Sequence, residues 1–253
     1  MNGKIIYFSG TGNTEYVAEL YKKEFERKGH NIHLIDIVRN SILNDDYDFL
    51  ILGSPIHCEI FPYLFTNWVS KNISDGRGRK CIIYSTQAAD KAAGADILAK
   101  ELNKKNFKVV VKDFIVMPNN YYVTAFKENT RSEIESLKKE AEKIVKNHVN
   151  IFLENKIYIK NVSSIRCGFG KFVYSGFNKF TKDWAKKRFS VDYNLCINCG
   201  RCANNCPTNN IIINRSNKEI KFKYACISCQ KCLHLCPENA FLYKGKHFKQ
   251  YKL

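Results

Sequence analysis

Residues 196–207 read Cys-Ile-Asn-Cys-Gly-Arg-Cys-Ala-Asn-Asn-Cys-Pro, and residues 226–237 read Cys-Ile-Ser-Cys-Gln-Lys-Cys-Leu-His-Leu-Cys-Pro. Both are C-x-x-C-x-x-C-x-x-x-C-P, thirty residues apart, and together they take eight of the chain's eleven cysteines. Three thiolates at intervals of three can curl around one corner of a cubane iron–sulfur cluster, with the fourth ligand arriving from elsewhere in the chain. The proline after each fourth cysteine removes an N–H and fixes φ at the exit of the loop. Structural zinc usually takes separated C-x-x-C pairs or pairs mixed with His. A disulfide framework would imply secretion, yet Met1-Asn2-Gly3-Lys4 leads into a strand and not into a signal peptide. The spacing therefore predicts two [4Fe–4S] clusters on Cys196, Cys199, Cys202, Cys206, Cys226, Cys229, Cys232 and Cys236.

The repeat continues beyond the cysteines. Ile197 matches Ile227, Arg201 matches Lys231, Asn209 matches Asn239, and Ile211 and Phe241 fill equivalent apolar positions. Residues 191 to about 245 resemble the bacterial-type two-[4Fe–4S] ferredoxins. That resemblance implies crossed ligation, in which Cys236 completes the cluster of the first run and Cys206 completes that of the second. Ile211–Ile213 and Ile220–Tyr224 read as two short strands that keep water off the clusters.

Working outward, 253 residues leave room for a second, larger domain. Residues 1–160 alternate apolar strand runs with helical patterns, which predicts a doubly wound α/β sheet of five parallel strands in the order 2-1-3-4-5. The strand runs are 4–9, 32–38, 49–52, 81–84 and 107–117. The helical patterns are 14–28, 61–69, 92–105 and 133–152. In such a sheet a ligand sits at the carboxyl ends of the strands. The loop there is Ser9-Gly10-Thr11-Gly12-Asn13-Thr14. It leaves strand one and opens a helix, so backbone N–H groups and three hydroxyls would face an anion. A P-loop would end in Gly-Lys-Ser/Thr, which is missing, and a dinucleotide fingerprint would need glycine where Glu15 stands. Asp36 at the end of strand two keeps a ribose-binding acid open as an alternative.

The loop resembles the flavodoxin phosphate loop, Ser/Thr-x-Thr-Gly-x-Thr, with Ala18 following as that family has it and Tyr21 departing from its usual aliphatic residue. The resemblance covers about residues 1–155 and implies FMN. It also implies that two further loops flank the flavin ring: Ser54-Pro55-Ile56-His57 after strand three and Ser85-Thr86-Gln87 after strand four. His57 stands where many relatives have an aromatic residue, so an imidazole would stack on the flavin or bias its protonation. Cys58, Cys81 and Cys167 read as small buried residues. Residues 118–122 lie at the same end of the sheet and would cap the flavin or receive the cluster domain.

Between the domains, 161–190 is basic and aromatic. Phe169, Phe172, Val173, Phe177, Phe180 and Trp184 recur at helical steps, which predicts a connector helix with one apolar face packed between the domains; the alternative is a helix that docks on a partner or a membrane. The chain then divides as 1–160, 161–190 and 191–253, and as a whole it resembles the fused flavodoxin–ferredoxin proteins. The implied function is electron transfer between FMN and two [4Fe–4S] clusters; the alternative is an FMN-dependent reductase of a small molecule fed by its own clusters. The net charge is +17, and residues 166–253 carry 17 Lys and Arg against 4 Asp and Glu. Two oxidised clusters lower the charge of that tail to about +9 by formal count. A basic surface steers acidic redox partner proteins, and no nucleic-acid-binding module accompanies it. No run approaches the ~18 apolar residues of a membrane span, and reduced thiols predict the cytoplasm.

Overall fold

The computed structural model describes residues 1–39, 43–89, 91–214, 216 and 219–253. They form two units, residues 1–118 with 129–174 and residues 119–128 with 175–253. The segment that leaves the last long strand of the first unit thus belongs to the second. The boundary between the units falls inside the 161–190 stretch, between residues 174 and 175.

The first unit runs β1 (Asn2–Tyr7), α1 (Asn13–Arg27), β2 (Asn31–Asp36), β3 (Phe49–Pro55), α2 (Tyr63–Asn72), β4 (Lys80–Gln87), α3 (Gly94–Lys104), β5 (Lys108–Val116), α4 (Arg131–Leu153) and β6 (Tyr158–Ile159), and α5 (Ser164–Thr181) begins in it. The strands pair in parallel in the order β2-β1-β3-β4-β5-β6. This is the expected order with one strand added. β6 has two residues, too few to leave a periodic signature, and it pairs with the outer edge of β5 at Val111 and Lys112. Leu50, Ile51 and Leu52 are all fully buried, as consecutive residues must be in a strand covered on both faces. The two covering layers can be read from β5. Lys112 pairs with Asp96 of α3, while the next residue, Asp113, pairs with His148 of α4. Successive strand residues point to opposite faces, so α3 and α4 lie on opposite sides of the sheet.

α1 packs beside α4 through Phe25 and Phe152, whose rings meet that of Phe49 at 4.9 and 4.8 Å. Tyr21, the departure from the flavodoxin pattern, is buried with its hydroxyl 2.6 Å from His148 Nδ1. α4 starts earlier than its apolar pattern, because Thr130 and Glu133 form a reciprocal capping box.

The second unit holds the end of α5, then α6 (Trp184–Arg188), β7 (Phe189–Val191), α7 (Arg201–Asn204), β8 (Ile211–Asn214), β9 (Glu219–Phe222), α8 (Lys231–Leu235) and β10 (Phe241–Tyr243). β8 and β9 form an antiparallel hairpin, and β7 pairs antiparallel with β10. Trp184, Ala185, Phe189, Ile211, Ile220, Leu233 and Phe241 make a small core that also takes in Cys202. Residues 119–128 join this unit through Tyr121, which stacks on Trp184 and hydrogen-bonds Ser228, and through Tyr122, whose hydroxyl donates to the Lys249 carbonyl at 2.7 Å.

Candidate functional site

Two centres emerge, one in each unit. In the first unit, the chain turns from β1 into α1 through Gly12 at φ 107, a left-handed conformation that a side chain rarely adopts. A Cβ there would meet nothing within 4 Å, so the loop faces open space at that point. Ser9 is buried and its Oγ accepts from Gly12 N at 3.2 Å. Gly10, Thr11, Gly12 and Asn13 are half-buried. Asn13 donates to the Pro118 carbonyl at 2.8 Å, which ties the loop to the end of β5. The first turn of α1 points its N–H groups toward the same opening. Thr14 is turned the other way: it is buried, with Oγ1 2.6 Å from Thr86 Oγ1, and its carbonyl accepts from Tyr84 at 3.0 Å. Asp36, the alternative ribose-binding acid, caps its own turn by accepting from Val38 N at 3.0 Å.

The two expected flanking segments begin deeper than the sequence suggested. Ser54 and Pro55 are the last residues of β3, and Ser85, Thr86 and Gln87 are the buried end of β4, not loop residues. Ser85 donates to Gln87 Oε1 at 2.9 Å, and Gln87 donates to the Ala89 carbonyl at 2.7 Å. Loop backbone appears one step later. Ile56 N reaches the Thr86 carbonyl at 3.1 Å, and His57 N reaches the Ile60 carbonyl at 2.9 Å across a tight turn. Cys58 and Glu59 fill that turn at φ 49 and 78. Cys58 is exposed, contrary to its reading as a buried residue, because the turn carries it out of the sheet; Cys81 and Cys167 are buried. The His57 ring is half-buried, with its centroid 6.3 Å from that of Phe8.

Sequence reasoning missed the brace behind this turn. Arg166 of α5 forks onto Glu59 at 2.8 and 3.1 Å and donates to the Lys91 carbonyl at 3.0 Å. Ala93 N donates to the Glu59 carbonyl at 2.8 Å. One guanidinium thus holds the segments after both β3 and β4. Gly170, one turn on, lets α5 approach: a Cβ there would lie 3.3 Å from Glu59 and Ile60 side-chain atoms. A further turn on, Tyr174 accepts from Tyr63 N at 3.1 Å and so caps α2, whose N-cap Pro62 makes no side-chain cap.

In the second unit the thiols gather by threes and ones. One hollow is lined by Cys196, Cys199, Cys202 and Cys236. The other is lined by Cys226, Cys229, Cys232 and Cys206. Each hollow therefore carries three thiols from one run and the fourth from the other, a donor set matching a cubane cluster. The thiols surround a space and not a point: among the described residues no three His, Cys, Asp or Glu converge on a single ion. Burial pushes the Cys202 and Cys226 thiols up to about 11, so thiolate ligation there releases protons.

The thirty-residue repeat is also written in the backbone. Asn198 and Ser228 have φ 55 and 57, Gly200 and Gln230 76 and 57, and Asn209 and Asn239 50 and 46. These left-handed residues turn amides toward sulfur. Asn210 N donates to Cys206 Sγ at 3.2 Å, and its counterpart Ala240 N donates to Cys236 Sγ at 3.3 Å. Ser228 N donates to Cys226 Sγ at 3.3 Å. Such bonds are one of the levers on cluster potential.

A family model described as a flavodoxin domain matches residues 4–147, and one described as a 4Fe-4S dicluster domain matches residues 195–241. The chain belongs to the flavodoxin family. It is a fused flavodoxin/ferredoxin protein, and its cofactors are FMN and two [4Fe–4S] clusters. A curated relative, a flavodoxin from Clostridium beijerinckii, is 45% identical over 53 residues, 20% of this chain and 37% of that protein. The match therefore spans little more than a third of that relative's length. Similar solved structures include a flavodoxin from the domain Archaea, 13% identical with a TM-score of 0.41, covering 59% of this chain and 99% of that one. Another is oxidised Flavodoxin 1 from Bacillus cereus, 19% identical with a TM-score of 0.41, covering 58% and 98%. A flavone reductase is 14% identical with a TM-score of 0.45, covering 63% and 66%. Flavin and iron–sulfur domains in one chain make this an electron-transfer or oxidoreduction protein. Among the described residues no helix is long and apolar enough to cross a membrane.

Proposed function

We propose that this protein is an electron carrier that passes electrons between FMN and two [4Fe–4S] clusters. The observation that carries the proposal is the sorting of eight thiols into two four-thiol hollows in a chain that also has a flavodoxin domain. Cys196, Cys199, Cys202 and Cys236 hold one cluster, and Cys226, Cys229, Cys232 and Cys206 hold the other. Ser9, Gly10, Thr11, Gly12 and Asn13 bind the FMN phosphate through backbone N–H groups and hydroxyls, while Thr14 and Thr86 hold the loop against the sheet. The segments 54–57 and 85–87, with the turns they lead into, flank the ring. When bound, FMN supplies exchange between one-electron carriers and a two-electron partner; the chain supplies placement, hydrogen bonds and burial. Acidic redox proteins are the partners that the basic charge favours, and the domains fit a cytoplasmic carrier.

A second reading, reduction of a small molecule, is favoured by an open hollow of about 720 Å³ in the first unit, lined by Ser85, Asp96, Lys112, Phe114, Lys160 and Arg166 among others. An anaerobic redox titration followed by EPR and flavin absorbance, with exchange kinetics against acidic carrier proteins, separates the two. Fast exchange without metabolite turnover is expected. Saturable reduction of one metabolite, with slow exchange, would favour the reductase.

A further inference from the structure

α5 packs on one side and is bare on the other. Cys167, Gly170 and Tyr174 are buried, whereas Ile165, Phe169, Phe172 and Phe180 are 86, 59, 80 and 59% exposed. At about 100° per residue, Ile165, Phe169, Phe172, Gly176 and Phe180 fall within an arc of roughly 80°, on the side away from Tyr174. A Cβ at Gly176 would meet nothing within 4 Å, so nothing interrupts the bare side there. No side chain in that arc can hydrogen-bond. Single exposed apolar residues are ordinary, but a contiguous stripe marks an interaction surface.

The charge beside the stripe is of one sign. Residues 164–188 hold seven Lys and Arg and a single acid, Asp183, which pairs with Lys187 at 2.5 Å. Lys171, Lys179, Lys182 and Lys186 are exposed. Protein interfaces are enriched in Tyr, Trp, Phe and Arg and depleted of Lys. Here the anchors are Phe and Ile alone, flanked by lysines, the composition of a helix that lies in a lipid headgroup layer with its lysine stems snorkelling outward.

We propose that the bare side of α5 docks this protein on an anionic lipid surface. Ile165, Phe169, Phe172 and Phe180 enter the boundary between headgroups and acyl chains, and the α5 lysines Lys171 and Lys179 meet headgroup phosphates. The electron carrier would then work at a membrane surface without spanning it.

The test is flotation of the full chain, purified anaerobically with iron and flavin, with vesicles of phosphatidylcholine alone or mixed with phosphatidylglycerol. Wild-type protein should float with the mixed vesicles only, and less as salt is raised. Phe169→Ser with Phe172→Ser should weaken partitioning about tenfold or more, with iron and flavin content unchanged. Phe172→Ser alone, at the more exposed of the two positions, should weaken it less. Absence of flotation with the mixed vesicles, or equal flotation of wild type and double variant, would overturn the proposal. So would sedimentation showing a dimer that the double variant dissolves, since the stripe would then belong to a second copy.

Discussion

Thr11 and Thr14 lie three residues apart in one loop, yet their side chains have different work. Thr11 sits half-buried at the rim of the opening, while Thr14 is buried against Thr86. Thr11→Val should weaken FMN binding about tenfold and leave folding intact, as measured by flavin fluorescence quenching. Thr14→Val leaves the Thr86 hydroxyl buried without its partner and should cost about 1–3 kcal/mol in denaturant unfolding. Equal losses of FMN affinity in both would place the phosphate against Thr14 after all. Asp113 gives a test by pH. Burial alone would raise its carboxyl, but hydrogen bonds from His148 and Lys160 outweigh burial and hold it below the ordinary range. A depressed folded value contributes stability above the unfolded pKa of about 3.9, and that stability is lost as pH falls through the folded value. The advantage of wild type over Asp113→Asn should therefore shrink below about pH 4 in acid unfolding monitored by circular dichroism. The cysteines were legible at this scale because cluster geometry imposes a rigid spacing. The direction of Thr14 was not, because a partner 72 residues away decides it.

At the scale of elements, the strands were legible as short apolar runs and the helices as amphipathic ones, with boundaries off by a few residues. β3 and β4 each continue past their apolar runs, so residues expected in loops end up in strands. α5 carried two readings in the sequence, a packed connector and a docking helix. The side that packs in the first unit carries Cys167, Gly170 and Tyr174, since small residues permit close approach and one hydroxyl caps a neighbouring helix. Hydrophobic periodicity finds apolar stripes and does not say which stripe is covered. The same helix supplies Arg166, whose planar fork reaches a carboxylate and a carbonyl together. Arg166→Ala should release the turns after β3 and β4 and weaken FMN binding about tenfold, or about 1.4 kcal/mol, in calorimetric titration. Arg166→Lys should recover only part of that, because an ammonium cannot fork. Unchanged affinity in the alanine variant would mean that these turns do not flank the ring.

At the scale of the whole molecule, the two units rest on different kinds of stability. The first has a six-stranded sheet covered on both faces. The second has a small core in which a cysteine is itself a member and other cysteines pack at its border. Removing iron with a chelator should unfold residues 175–253 while the parallel sheet keeps its FMN, seen as partial loss of circular dichroism with flavin fluorescence still quenched. Release of flavin together with iron would show that the sheet unit depends on the clusters. The division into a flavin part and a cluster part was legible from composition, repeat and motif. The assignment of 119–128 to the cluster part was not, because it rests on Tyr121 and Tyr122 finding partners more than a hundred residues away.

The exchange of Cys206 and Cys236 between the hollows has one more consequence. A cut between the two runs would leave each half with three thiols around its own space and a fourth facing nothing. Neither half can serve as a smaller version of the whole, and a chain bearing one run could complete its set only by trading a cysteine with a second such chain. The thirty-residue repeat therefore works as a pair of interlocked hands, each closing the other's grip.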